Sequence, residues 1–109
     1  MLDDSQFRTI SGDALDKLQR TLERASEDHD FDVDRNEGAL TVEFEDPPAK
    51  FVISPNSPVK QIWISARVQS FKLDWNEAQS KFILASDGRD LARLIGDLIC
   101  DQIGEPISL

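Results

Sequence analysis

Between Phe31 and Leu84 the apolar residues alternate with polar ones in short runs, and turn-forming residues cut those runs apart. Leu40, Val42 and Phe44 alternate with Thr41, Glu43 and Glu45; Ile62 and Ile64 flank Trp63; Phe71, Leu73 and Trp75 alternate with Lys72 and Asp74. A period of two places one side chain in the core and the next in water, the signature of a half-buried strand. Phe51-Val52-Ile53 and Lys81-Phe82-Ile83-Leu84 add two further strands. The breaks fall at Asn36-Glu37-Gly38, Asp46-Pro47-Pro48-Ala49, Ser54-Pro55-Asn56-Ser57-Pro58 and Asn76-Glu77-Ala78-Gln79. Connections this short favour hairpins, and therefore an antiparallel meander of about six strands.

Helical spacing brackets this region. Phe7, Ile10, Ala14, Leu18, Leu22 and Ala25 recur at intervals of three and four with Leu15 on the flank, and Asp4 or Ser5 is the expected N-cap. Gly12 inside this helix costs about 1 kcal/mol relative to alanine, so a close contact or a bend is expected there. Asp13, Asp16, Arg20, Glu23 and Glu27 share another face, where Asp16 and Arg20 can pair. Leu91, Leu94, Ile95, Leu98, Ile99 and Ile103 form a second stripe, opened by Asp87 or Asp90 and closed by Gly104 and Pro106. The expected fold class is α+β: a two-layer sandwich in which both helices cover one face of the sheet, one domain over residues 1–109.

The charge is uneven in a way that matters for partners. The net charge is -9, and residues 1–46 hold 14 acids against 5 bases while residues 47–109 hold 7 of each. This balance argues against duplex DNA and anionic membranes as partners. Cys100 is the only cysteine, which excludes an intrachain disulfide and a cysteine-built metal cage and suggests a reducing compartment. The N-terminus is acidic and lacks the pattern of a signal or transit peptide, so a cytoplasmic location is expected.

The centre of the acidic segment is Glu27-Asp28-His29-Asp30-Phe31-Asp32-Val33-Asp34, with an aspartate at every second position. As a strand it would set carboxylates on one face and Phe31 and Val33 on the other. Like charges in a row repel, so the row is either a solvated edge or a site for a cation or a basic partner. Glu23, Glu27, Asp28, Asp30, Asp32 and Asp34 offer hard oxygen ligands without a closed geometry, suited to weak, exchangeable binding of iron, manganese or calcium. His29 is either a further ligand or an ordinary surface histidine. No catalytic constellation is present: the sequence has no Gly-rich phosphate loop and no serine elbow, and one histidine with one cysteine makes no dyad. Cys100, beside Ile99 on the closing helix, reads as a structural thiol and Trp75 as core. With Ile62 and Ile64 facing the helices, Trp63 stands on the open sheet face beside Gln61 and Ser65. It is there a binding anchor or the local partner of a neighbouring strand, with Lys60, Arg67 and Lys72 adding positive charge nearby.

The segments Gly38-Ala39-Leu40-Thr41-Val42, Ser57-Pro58-Val59-Lys60-Gln61-Ile62-Trp63-Ile64-Ser65, Leu73-Asp74-Trp75 and Ser86-Asp87-Gly88 resemble, in this order, the frataxin family, and the short acidic N-terminus resembles its bacterial CyaY-type members. The resemblance covers nearly the whole chain. It implies a non-enzymatic monomer that binds iron, Fe²⁺ or Fe³⁺, weakly and reversibly on a ridge formed by the first helix and first strand. It further implies a regulatory or iron-supplying role in iron-sulfur cluster assembly, with a cysteine desulfurase and a cluster scaffold protein as partners. Carried over by position, the ridge is Glu23, Glu27, Asp28, Asp30, Asp32 and Asp34, and the partner face is Lys60, Gln61, Trp63 and Ser65. Two rival readings are weak ferroxidase activity at the same acids and an acidic interaction module with no metal role. Gln19, Arg20, Arg24 and Ser26 interrupt the acid run usual late in the first helix of bacterial relatives, so here the strand aspartates are expected to carry more of the binding.

Overall fold

The computed structural model describes residues 3–36, 38–45, 48–104 and 107. The expectations placed on Glu37, on Asp46-Pro47 and on Pro106 lie outside those residues. Eight elements follow one another: α1 (Asp4–Ser26), β1 (Phe31–Asn36), β2 (Ala39–Glu45), β3 (Pro48–Asn56), β4 (Gln61–Ala66), β5 (Gln69–Asn76), β6 (Lys81–Leu84) and α2 (Leu91–Ile103). The six strands form one antiparallel sheet in sequence order, β1 to β6, and both helices pack on the same face. The α+β sandwich read from the pattern is the observed architecture. No helix among the described residues is long and apolar enough to cross a membrane.

The core lies between the layers. Phe31, Leu40, Val42, Phe44, Phe51, Ile53, Ile62, Ile64, Leu73, Phe82 and Leu84 point from the sheet toward Phe7, Leu15, Leu18 and Leu22 of α1 and toward Leu91, Leu94, Ile95, Leu98 and Ile99 of α2. Burying such side chains is the main favourable term in forming the fold, at about 25 cal/mol per Å² of apolar surface. The aromatic rings run as a chain beneath the helices: Phe31 to Phe44 at 5.7 Å, Phe44 to Phe51 at 4.9 Å.

Several local expectations are corrected. The N-cap of α1 is Asp3, one residue earlier than expected, because Asp3 and Gln6 close a reciprocal capping box. Leu15 is central to the buried stripe, and Ser11 is buried with it; the stripe follows the sheet's contour and takes in a small polar residue. A Cβ added at Gly12 meets nothing within 4 Å, so no close contact explains that glycine. Asp16 pairs with Arg35 of β1, not with Arg20, because a strand cation lies within reach of the helix face. The third strand continues through Ser54, Pro55 and Asn56, where a break is expected, since proline's fixed φ suits extended backbone near a strand end. Gly104 closes α2 in the left-handed conformation, φ 70°, as its position implies.

Candidate functional site

The acidic stretch does not form one continuous strand row. The first helix runs to Ser26 and Glu27 is its C-cap; Glu27, Asp28, His29 and Asp30 make the connection, held by Asp28 N–H to Ala25 C=O at 3.1 Å and Phe31 N–H to His29 C=O at 3.1 Å. Only Asp32 and Asp34 belong to β1. The four aspartates are therefore two on a turn and two on a strand, and His29 stacks its ring on Phe31 at 6.4 Å. The physical reason is that helix termination needs several residues of turn, and Asp accepts turn backbone readily.

Glu23, Glu27, Asp28, Asp30, Asp32 and Asp34 are all exposed. Glu23 accepts a bond from the Gln19 side-chain amide at 2.7 Å. None of the ion pairs among the described residues involves Glu27, Asp28, Asp30, Asp32 or Asp34. Asp32 stands directly across from Glu43 on β2, a like-charged pair in cross-strand register. Among the described residues no three of His, Cys, Asp and Glu gather tightly enough to cage a metal ion. The ridge is thus an open strip of negative potential along the end of α1, the turn and the β1 edge. Such a strip attracts cations or a basic surface without imposing coordination geometry.

The second site lies on the open face of the sheet. Gln61, Trp63 and Ser65 point away from the helices because Ile62 and Ile64 are buried. Trp63 is 38% exposed. Its indole N–H donates to Gln61 Oε1 at 2.9 Å, and Gln61 Nε2 donates to Asp74 Oδ1 at 2.9 Å. Lys72, directly opposite Trp63 on β5, holds its ammonium 4.8 Å from the ring centroid. Trp63 is therefore held by local partners, one of the two readings open to it, while part of its ring stays exposed. Lys60 lies in the β3–β4 turn with φ 53° and bridges Asp4 at 3.2 Å, tying α1 to the turn. The cation at the tryptophan is Lys72. Sequence reasoning missed Asp74, although its cross-strand position opposite Gln61 follows once the hairpin register is known.

At the entry of α2, Arg89 donates to Asp87 at 2.8 Å, which lowers the Asp87 carboxyl and raises the guanidinium. The Arg93 N–H and then Lys81 lower the carboxyl of Asp90, the N-cap. Cys100 is half-buried and accepts from Ile107 N–H at 3.3 Å, a structural contact. Trp75 is half-buried against Phe82, ring centroids 5.1 Å apart, so it borders the core rather than sitting inside it.

Residues 1–105 match the profile of the Frataxin-like domain. The chain belongs to the frataxin family. Among frataxin-family relatives, the iron-sulfur cluster assembly protein CyaY of Azotobacter vinelandii is 35% identical over 95 residues, spanning 85% of this chain and 86% of that protein. The protein of the same name from Dechloromonas aromatica is 32% identical over 108 residues, 99% of each. The solved frataxin of Psychromonas ingrahamii superposes with a TM-score of 0.78 at 27% identity, over 98% of this chain and 97% of that one. Trimeric frataxin from Saccharomyces cerevisiae superposes with a TM-score of 0.73 at 25% identity, over 88% and 80%.

Proposed function

We propose that this frataxin-family chain acts in iron-sulfur cluster assembly, the process named for its CyaY relatives, as a non-enzymatic iron-handling or regulatory protein. The ridge formed by Glu23, Glu27, Asp28, Asp30, Asp32 and Asp34 binds iron as weakly held cargo and docks a basic surface of a cysteine desulfurase. The Trp63 face, with Gln61, Ser65 and the neighbouring Lys60 turn, contacts the cluster scaffold. The observation that carries this reading is the run of exposed carboxylates that enter no ion pair among the described residues. Unpaired like charges cost stability, and a cationic partner relieves that cost. Exposed oxygen ligands without a cage suit exchangeable iron and make a committed ferroxidase centre a poor fit.

A second reading is favoured by the scattered geometry alone: an acidic docking module with no metal role. One pair of measurements separates the two. Binding of the desulfurase is titrated against the wild type and against a variant with Asp30→Asn, Asp32→Asn and Asp34→Asn at low and at physiological salt. Fe²⁺ line broadening is mapped by NMR on the same two proteins. Loss of both docking and broadening at residues 27–34 in the variant supports the joint role; docking unchanged in the variant overturns the ridge assignment, and no broadening of the wild type together with docking lost in the variant selects the metal-free module.

A further inference from the structure

α1 leans on β1 and β3 while α2 leans on β6, so a channel opens between the two helices above the last hairpin. It is a cleft of about 390 Å³, on the side of the molecule opposite Trp63 and away from the acidic ridge. Leu18, Leu91 and Phe82 supply apolar walls, and Trp75 lines it with them. Lys17 and Lys81 are the cationic residues that line it, in a chain whose net charge is -9.

Besides the hydroxyls of Thr21, which donates to the Lys17 carbonyl at 3.0 Å, and Ser80, the polar side chains of the wall are mostly cationic or donors. Among the described residues that line it the one carboxylate, Asp90, is already engaged: Oδ2 holds Lys81 at 3.3 Å and Oδ1 accepts the Arg93 N–H at 2.8 Å. The Lys17 ammonium and the Trp75 indole N–H have no hydrogen-bond or ion-pair partner among the described residues. An apolar hollow with two uncommitted donors and no uncommitted carboxylate selects for an acceptor that carries negative charge. At roughly 30 Å³ per water-sized group, the space holds on the order of a dozen non-hydrogen atoms. That is the size of a small organic acid and far below that of a peptide or a nucleotide.

We infer that the cleft between α1 and α2 binds a small amphiphilic carboxylate, its aryl or short aliphatic body lying on Trp75 and Phe82 and its carboxylate held by Lys17 and the Trp75 indole N–H. The site is independent of the ridge and of the Trp63 face, and it gives the protein a means of responding to a metabolite of this class.

The probe is 4-phenylbutyrate, titrated by ¹⁵N NMR into the full chain, with neutral 4-phenylbutanol as the matched control. The expected result is saturable binding with a dissociation constant on the order of 1 mM, the range that so small a ligand allows. Shifts should centre on the Trp75 indole N–H, Lys17, Leu18 and Leu91, with the Trp63 indole N–H still. Lys17→Glu, an exposed change, should weaken phenylbutyrate at least fivefold and leave the weaker phenylbutanol binding unaltered. No saturable shift up to 10 mM, shifts that centre on Trp63, or equal affinity for the acid and the alcohol would each overturn the assignment.

Discussion

Arg35 on β1 donates through Nη1 to Asp16 on α1 at 2.8 Å, and the same nitrogen reaches Gln19 Oε1 at 3.2 Å. The only cation of the first strand is thereby committed to the helix, which joins the two halves of the ridge and leaves Asp32 and Asp34 without an ion-pair partner among the described residues. The Asp16 carboxylate is 57% exposed and the Arg35 side chain 22%, so the pair is worth about 0.5–1 kcal/mol. Asp16→Ala is expected to lower urea stability by that amount, while Asp13→Ala, on an exposed site outside the pair, changes it by less than about 0.5 kcal/mol. A double-mutant cycle with Arg35→Ala should return the coupling, and high salt should shrink it.

Gly12 offers a stabilising change. It lies in the interior of α1, and an added Cβ meets nothing within 4 Å. Alanine there restricts the unfolded chain and favours helix without a steric cost, so Gly12→Ala should stabilise by about 1 kcal/mol. For a domain of this size calorimetry should show a rise in Tm of about 4–8 °C. A fall in Tm would mean that the helix bends at this position in solution.

Acid sensitivity is expected at Asp90. Its carboxyl is lowered from 3.8 chiefly by the Arg93 N–H; burial opposes this, and Lys81 adds a smaller lowering. A depressed folded value means the stabilisation is complete above the ordinary carboxylate pKa and is lost as pH falls below about 4 through the folded value. Asp90→Ala should lower stability near neutral pH by about 1 kcal/mol through loss of the N-cap. Asp90→Asn keeps the cap, so it should hold most of the neutral-pH stability and flatten the loss of stability as pH falls below about 4. Denaturant titrations over that range read both effects.

The element order and the inward faces were legible because periodicity is a local property: Ile62 and Ile64 alone orient Trp63 outward. The partnerships were not. Asp16 has Arg20 four residues on, a sound helical pair in isolation, and only the packing of α1 over β1 brings Arg35 closer. The acidic run read as one strand because aspartates at alternate positions satisfy a period of two, yet α1 ends in that same run and needs residues to turn with. Lys60 and Lys72 are equally basic neighbours of Trp63 in sequence terms. Hairpin register decides between them, placing Lys72 opposite the ring while the φ of 53° at Lys60 turns it toward Asp4.

That register also makes Asp74 a testable determinant of how Trp63 is presented. A carboxylate can only accept, so Asp74 fixes the Gln61 amide with its NH₂ toward β5, and Oε1 is left facing the indole N–H. Without Asp74 the amide is free to rotate and the indole bond is held only part of the time. Asp74→Ala should leave global stability within about 0.5 kcal/mol, as expected for an exposed site. Hydrogen exchange at the Trp63 indole N–H should nevertheless accelerate about fivefold, the equivalent of one net hydrogen bond of about 1 kcal/mol. The Trp75 indole N–H in the same spectra serves as the internal control, because it takes no part in this chain of bonds. Acceleration at Trp75 as well would show a general loosening of the sheet, whereas acceleration at Trp63 alone establishes that β5 holds the tryptophan in place.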